Sequence, residues 1–484
     1  MIMDVQNLIK TGSFVGGHWL SGDETFDVCN KATGEVIARV HNATGQDVIS
    51  AVDFATDAFK EWSATPANTR AGLLRGWFDL LMRNQEPLGE LLSLEQGKPL
   101  AEAKGEIAYG AKYIEWFAEE AKRLYGSTIP SLSSDQRIIA IRQPVGVVGA
   151  VTPWNFPNAM IARKAAAALA AGCTFVVRPA ELTPLSALAM AELAQQAGIP
   201  DGVLNVVTGT DAPGMGKALT QNPKVQKFSF TGSTRVGKML IEDCADTVKR
   251  VSMELGGNAP FIVFEDADIE AAVQGAIVSK FRNAGQTCVC TNRFIIHDSI
   301  ADQFVEKLVC EVARLKVGNG MDEGVSIGPL ISEAASLQVS SLVDAALSDG
   351  AKLRSGGEPH DLGAQFVMPT VLDFVTNSMD VAHSEIFGPV APIIRFRTES
   401  EAIEIANDTV YGLASYVYTR DIGRVWRVSE SLEYGMVGVN EGIISNPAAP
   451  FGGVKQSGYG REGSFYGLDD YTEIKYICMG GLGT

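Results

Sequence analysis

From residue 159 onward, stretches with helical spacing alternate with short, wholly apolar runs, and this alternation narrows the fold more than any other feature. The helical stretch 159–171 leads to Thr174–Val177, and 184–197 leads to Leu204–Val207. A helix around 212–220 precedes Lys227–Phe230, and one from about 233 precedes Lys249–Met253. Strands apolar on both faces must be covered on both faces, and the intervening helices supply the cover, so a parallel sheet is expected. The order restarts after residue 257 with Phe261–Phe264, a helix 268–282, a strand 293–297, a helix 300–315 and strands near 366–372 and 390–396. A second α/β unit is therefore expected, and 484 residues are too many for one core.

Ahead of this region, Phe14–His18 with Trp19 and Val36–Val40 predict a small hairpin region. Residues 46–124 predict helices, with Val48, Ala51, Val52, Ala55 and Phe59 at helical spacing. Ile138–Ile141 and Val145–Val151 read as strands. The tail Ile474–Cys478 is a β-rich run with no obvious partner nearby, expected to add to a sheet edge, across a subunit boundary if need be.

The net charge of −17 argues against general binding to nucleic acid or anionic membranes, which takes a basic face. An anionic small molecule stays compatible if a few local arginines hold it. Seven scattered cysteines and five unpaired histidines give no metal-site spacing, so no metal is expected. A reduced, cytoplasmic setting fits the odd cysteine number. The first ten residues lack a basic segment followed by an apolar core, so no signal peptide is expected. The most apolar helix, Ala159–Ala171, carries Arg163 and Lys164 and is too short to span a bilayer.

Chemistry concentrates in three segments. Phe281-Arg-Asn-Ala-Gly-Gln-Thr-Cys-Val-Cys290 puts Cys288 on a turn before an apolar strand, which predicts an exposed thiol near backbone N–H groups. Val251-Ser-Met-Glu-Leu-Gly-Gly-Asn258 sets the carboxylate of Glu254 beside a Gly-Gly turn, with Gly256 and Gly257 giving backbone freedom. Thr152-Pro-Trp-Asn-Phe-Pro157 fixes the amide of Asn155 between prolines. A fourth segment, Lys227–Gly237, places Gly232 and Gly237 where a strand opens into a helix, whose free N–H groups suit a phosphate. Its G-x-x-x-x-G spacing departs from the usual dinucleotide fingerprint and equally fits a plain strand-to-helix turn.

These segments in this order resemble the aldehyde dehydrogenase superfamily, and the wording around Cys288 is most similar to succinate-semialdehyde dehydrogenases. The resemblance runs almost end to end. It implies a Rossmann-type cofactor domain (1–123 and 145–256), an α/β catalytic domain (257–455) and a small β-rich oligomerisation element (124–144 and 456–484), giving dimers or tetramers. It implies NAD(P)-dependent oxidation of an aldehyde through a thiohemiacetal and a thioester on Cys288. The oxyanion would be held by Asn155 and the Cys288 N–H, each contributing roughly 3 kcal/mol, and Glu254 would be the hydrolytic base. Members that pass the acyl group to coenzyme A lack this glutamate, so release of a free acid is implied.

The resemblance further implies cofactor contacts at Trp154, Arg178, Glu181, Gly232, Ser233, Gly237, Glu385 and Phe387. The family usually has lysine where Arg178 stands. Arginine suits a 2′-phosphate, whereas Glu181 accepts from free ribose hydroxyls and repels that phosphate, so the balance favours NAD over NADP. A substrate carboxylate would be held by Arg163, Arg282 and Ser445. Taken without the resemblance, the two arginines equally suit structural salt bridges. Succinate semialdehyde is the implied substrate, with glutarate semialdehyde or a broader aldehyde range as the alternative. Some relatives with this Cys-x-Cys spacing are inactivated by a disulfide, which makes Cys290 a redox-regulatory candidate.

Overall fold

The computed structural model describes residues 3–483, so the outermost residues of the expected N- and C-terminal segments lie outside it. Two large sheets dominate. The first has eight strands in the order Gly458–Tyr459, Arg250–Glu254, Val225–Thr231, Val147–Val151, Thr174–Arg178, Leu204–Val206, Ser13–Val15, His18–Leu20. Its five central strands are parallel, as expected of apolar strands separated by helices. Val148, Phe175, Val177 and Phe228 in these strands are all fully buried. Each such side chain contributes about 1.5–3 kcal/mol on leaving water.

The second sheet has seven strands in the order Lys352–Ser355, Thr370–Asp373, Val390–Phe396, Thr291–His297, Ala259–Val263, Ala414–Tyr418, Met436–Val439. All its pairs are parallel except the first. The expected second α/β unit is thus present. It also holds three helices (Glu333–Ser348, Glu399–Asn407, Ile422–Ser431) and three strands (352–355, 414–418, 436–439) that the sequence reading did not place.

Two long helices carry the site's supports. Leu100–Glu120 buries Ala103, Ile107, Ala111, Ile114 and Ala118, a stripe at three- and four-residue spacing. Ala159–Ala171 is buried at every position and ends at Gly172, whose φ of 96° closes the helix in a conformation other residues rarely adopt.

Two expectations about the periphery are corrected. The N-terminal region forms two hairpins. One, Ser13–Val15 with His18–Leu20, extends the eight-stranded sheet, and the other pairs Thr25–Cys29 with Val36–His41. The tail finds its partner inside its own chain: Thr472–Met479 runs antiparallel to Arg137–Pro144 along its whole length, and Ser127–Ile129 completes a three-stranded sheet. More than 300 residues separate the two strands.

Register sets the position of the site. Val151 pairs with Arg178, and Thr231 with Glu254, so the carboxyl ends of the central strands lie level. From that edge issue the loop 152–158, Arg178, the turn Gly232–Ser233 and Glu254. The chain then passes through Gly256 and Gly257 into Ala259–Val263 of the second sheet. There the functional loops precede their strands: residues 282–290 lead into Thr291–His297, and 384–389 into Val390–Phe396. The site lies between the carboxyl edge of one sheet and the amino edge of the other.

Candidate active site

Cys288 is where two cavities meet. One, of about 240 Å³, is lined by Glu102, Tyr109, Phe156, Arg163, Arg282 and Ser445 among others. The other, of about 280 Å³, is lined by Trp154, Asn155, Gly232, Ser233, Glu385 and Phe387 among others. Cys288 lines both. The structure therefore brings the expected nucleophile to the junction of the expected substrate and cofactor residues.

The expectation of an exposed thiol is corrected. Cys288 is only partly accessible, and burial, followed by the nearby Glu254 carboxylate, pushes its pKa up to about 12. A turn in a loop looks exposed in sequence; here a second sheet closes over it. Glu254 is 4 % exposed, and neither carboxylate oxygen has a hydrogen-bond partner among the described residues. Burial, then Glu462, raises its pKa to about 8. A buried carboxyl with free lone pairs and a pKa near working pH is suited to proton transfer. The glycines after it also have a different reason from the one expected. Neither has a positive φ. A Cβ on Gly257 would run into the Cys288 carbonyl oxygen, and one on Gly256 would come within 2.7 Å of Glu385 Oε2. Close approach, not backbone freedom, requires them.

The loops around Cys288 are tied together by side chains from elsewhere. Asn155 Nδ2 donates to the Gln286 carbonyl at 3.0 Å, leaving its second N–H for an oxyanion. Asn283 and Ala284 both adopt left-handed backbone, with φ of 52° and 54°, a conformation that costs non-glycine residues energy. Three contacts hold it. The Asn283 N–H donates to Glu102 Oε2 at 2.7 Å, and Asn283 Nδ2 donates to the carbonyls of Asn155 and Gln286. Lys98 Nζ donates to the same Asn155 carbonyl and to Glu106, which accepts the N–H groups of Asn158 and Ala159. Glu102 and Glu106 stand four residues apart on one helix face, and that spacing was the available sequence signal for them.

On the cofactor side, Ser233 caps the helix Thr234–Cys244 by accepting from the Val236 N–H. Side chains at Gly232 and Gly237 would meet Phe230 and Leu255. Arg178 Nη2 donates to Glu181 Oε2 at 2.6 Å and to the Gly209 carbonyl at 3.0 Å. Trp154 and Phe387 meet edge to face, with centroids 5.6 Å apart. Glu385 Oε1 accepts the Gly257 N–H at 2.9 Å, and burial raises its pKa to about 7. Asn292 and Gln338 were missed by the sequence reading. Asn292 anchors the Ser384–Ile386 backbone from the strand after the nucleophile, and Gln338 lines the cavity from a helix distant in sequence. Bare N–H groups at a helix start, a carboxylate beside Arg178 and an aromatic pair next to the thiol fit a dinucleotide.

The two arginines of the other cavity differ. Arg163 is 2 % exposed, with Nη2 lying 2.6 Å from Glu462 Oε2, and Lys164 contacts the other oxygen of Glu462. Arg282 makes no ion pair and no hydrogen bond among the described residues; its guanidinium sits over the Phe156 ring at 5.5 Å. Cys290 lines neither cavity. Its thiol points into the protein, 3.3 Å from the carbonyl oxygens of Lys280 and Thr291.

Comparison with known proteins identifies the family. The sequence profile of the aldehyde dehydrogenase family matches residues 19–477. A 3-sulfolactaldehyde dehydrogenase of Pseudomonas putida is 58% identical over 478 residues, 98% of each chain. A glutarate-semialdehyde dehydrogenase of Pseudomonas aeruginosa is 56% identical over 477 residues, 98% of this chain and 99% of that one. The crystal structure of a succinate-semialdehyde dehydrogenase from Burkholderia pseudomallei superposes with a TM-score of 0.97 at 56% identity, covering 98% of both chains. The chain belongs to the aldehyde dehydrogenase family and is an NAD(P)-dependent aldehyde dehydrogenase.

Proposed function

We propose that this enzyme oxidises short aldehydes whose far end carries one anionic group, with succinate semialdehyde as the representative substrate, to the free acid. The observation that carries the reading is Arg282: a guanidinium without an ion-pair partner in the wall of the cavity that ends at Cys288. A half-buried cation with no partner on the protein suits an anion, and a guanidinium offers a carboxylate two parallel donors. Ser445 adds a hydroxyl in the same wall. Arg163, already paired with Glu462, adds positive potential and a shared donor. Glutarate semialdehyde is one methylene longer, and a sulfonate can replace the carboxylate. Both would use the same guanidinium, and one methylene changes affinity by only about 1–3 kcal/mol.

Two groups carry the chemistry, the Cys288 thiol and the Glu254 carboxylate whose charge acts on it. The Cys288 thiol gives its proton to solvent water as sulfur adds to the aldehyde carbon. The free N–H of Asn155 and the backbone N–H of Cys288 hold the oxyanion. A dinucleotide would be held by Trp154, Arg178, Glu181, Gly232, Ser233, Gly237, Glu385 and Phe387, and would supply the hydride acceptor. Loss of hydride leaves a thioester on Cys288. Glu254 then takes a proton from water, the hydroxyl adds to the thioester carbon, and the collapsing adduct releases the acid and the Cys288 thiolate. The Arg178–Glu181 contact keeps a carboxylate at the ribose end and favours NAD over NADP.

We assign 1–123 and 145–256, which carry seven of the eight strands of the first sheet, to the cofactor, 257–455 to catalysis, and 124–144 with 456–484 to contact between subunits. Ile474 (68 % exposed) and Tyr476 (62 %) are apolar groups on the three-stranded sheet that a second copy would cover. All seven cysteines are free, which supports a reducing, cytoplasmic setting. No described helix is long and apolar enough to cross a membrane.

Initial rates with succinate semialdehyde and butyraldehyde, each with NAD and with NADP, test the reading in the wild type and in Arg282→Met. The expected result is a kcat/KM strongly favouring the carboxylated aldehyde, lost in the variant. Equal rates for the two aldehydes in the wild type would overturn it.

A further inference from the structure

Arg163 and Arg282 line one cavity, yet the protein holds them in different ways. Glu462 lies against Arg163, which fixes that guanidinium and cancels its charge. Arg282 is half-buried in the wall with no ion pair and no hydrogen bond among the described residues. Its guanidinium meets the ring of Phe156 instead, with Cζ 5.5 Å from the ring centroid. Lys98 Nζ lies 3.9 Å from the centroid of the same ring. Both separations are within the range at which the negative face of an aromatic ring attracts a cation. Lys98 is itself anchored by Glu106 and the Asn155 carbonyl, so its ammonium steadies the ring. The ring is also fixed at its base. The Phe156 carbonyl accepts the Met160 N–H at 3.1 Å, and the following Pro157 restricts the backbone.

Building on the reading of Arg282 as the seat of the substrate's far anion, we propose that Phe156 is a positioning residue whose ring face holds the Arg282 guanidinium without neutralising it. A carboxylate in place of the ring would fix the arginine equally well. It would also occupy the guanidinium donors and cancel the charge, as Glu462 does for Arg163. A ring face occupies no N–H donor in that way, so the donors of Arg282 stay free for a carboxylate or sulfonate. A long side chain that is held before the substrate arrives also removes an ordering cost from each binding event. The effect acts on the charged end of the substrate and not on the aldehyde carbon. Phe156 therefore sets the selectivity between anionic and neutral aldehydes, through Arg282.

Phenylalanines of increasing fluorine content, incorporated at position 156 of the full-length enzyme, test this. Fluorine drains the negative face of the ring and nearly keeps its shape, so a merely structural role for the ring would not respond. The readout is the ratio of kcat/KM for succinate semialdehyde to that for butyraldehyde. It should fall stepwise along the series, by about five- to thirtyfold for the pentafluoro ring, through a higher KM for the carboxylated aldehyde. Phe156→Leu should show a loss of the same order, and Phe156→Tyr, which keeps a negative face, should recover most of it. Should Phe156→Leu not fold, the fluorine series decides alone. A ratio that stays constant along the series, while Arg282→Met abolishes the preference, would overturn the role of Phe156 and leave Arg282 as the anion site. Equal rates for the two aldehydes in the wild type would overturn both.

Discussion

Lys98 Nζ donates to the main-chain carbonyl of Asn155 at 2.7 Å and to Glu106 Oε2 at 2.6 Å, so one ammonium joins a long helix to the oxyanion loop. Both side chains of the Lys98–Glu106 pair are 1 % exposed. Removing one partner of such a pair strands the other charge, at a cost of about 3–5 kcal/mol. Lys98→Met should therefore lower Tm by several degrees and reduce kcat as the loop loosens. Lys98→Met with Glu106→Gln should recover most of the Tm in calorimetry. A double variant as unstable as the single one would show that the charge balance is not what matters.

The Arg163–Glu462 pair makes a parallel case with a different readout. Arg163→Met leaves Glu462 with Lys164 alone and brings a second carboxylate closer to full effect on Glu254. The pKa of Glu254 should rise further, moving the pH dependence of thioester hydrolysis upward. Arg282→Met should leave that pH dependence in place. Rapid-quench measurement of deacylation across pH separates the two arginines.

In the wild type, Glu254 must be ionised to take a proton from water, and its pKa is about 8. Deacylation should thus be slow below neutral pH and rise to a plateau above about pH 8. Glu254→Gln should produce one burst of NADH per active site and then stall. A flat pH profile, or full turnover in that variant, would remove Glu254 from the mechanism.

Glu95, far from the chemistry, gives a stability prediction. It is fully buried and accepts the Leu185 and Ser186 N–H groups at 2.8 Å. Burial outweighs these bonds and raises its pKa to about 7 from an unfolded value of 4.5. The folded state therefore binds the extra proton between these values. Its contribution to stability is fully present below about pH 4.5 and is lost as pH rises through about 7. Glu95→Gln should flatten that part of the Tm-against-pH curve, measured by differential scanning fluorimetry.

What the sequence revealed and concealed follows from range. The alternation of helices with apolar strands from residue 159 is local, and both sheets were legible from it. Cys288, Asn155 and Glu254 announced themselves by unusual neighbours: a cysteine on a polar turn, an amide between prolines, a glutamate before two glycines. What remained illegible depends on distant segments meeting. The enclosure of Cys288, the neutralising of Arg163 by Glu462 and the anchoring of Asn283 by Glu102 each join residues far apart in the chain. No window of sequence contains both halves of such a contact. The order of the last strands in the second sheet was lost for a plainer reason: Ala414–Tyr418 and Met436–Val439 are short and carry no clear two-residue period.

The antiparallel ladder between Arg137–Pro144 and Thr472–Met479 has a consequence for the order of assembly in the cell. A ribosome delivers residue 144 long before residue 479. Until then, the earlier strand presents one unpaired row of backbone donors and acceptors. The first sheet waits in the same way, because its edge beside Arg250–Glu254 is closed by Gly458–Tyr459. Translation must therefore run past residue 459 before the first sheet is closed and past residue 479 before the ladder is. A nascent chain stalled short of residue 458 would expose two sticky edges at once, and premature termination should yield aggregates rather than a smaller folded enzyme.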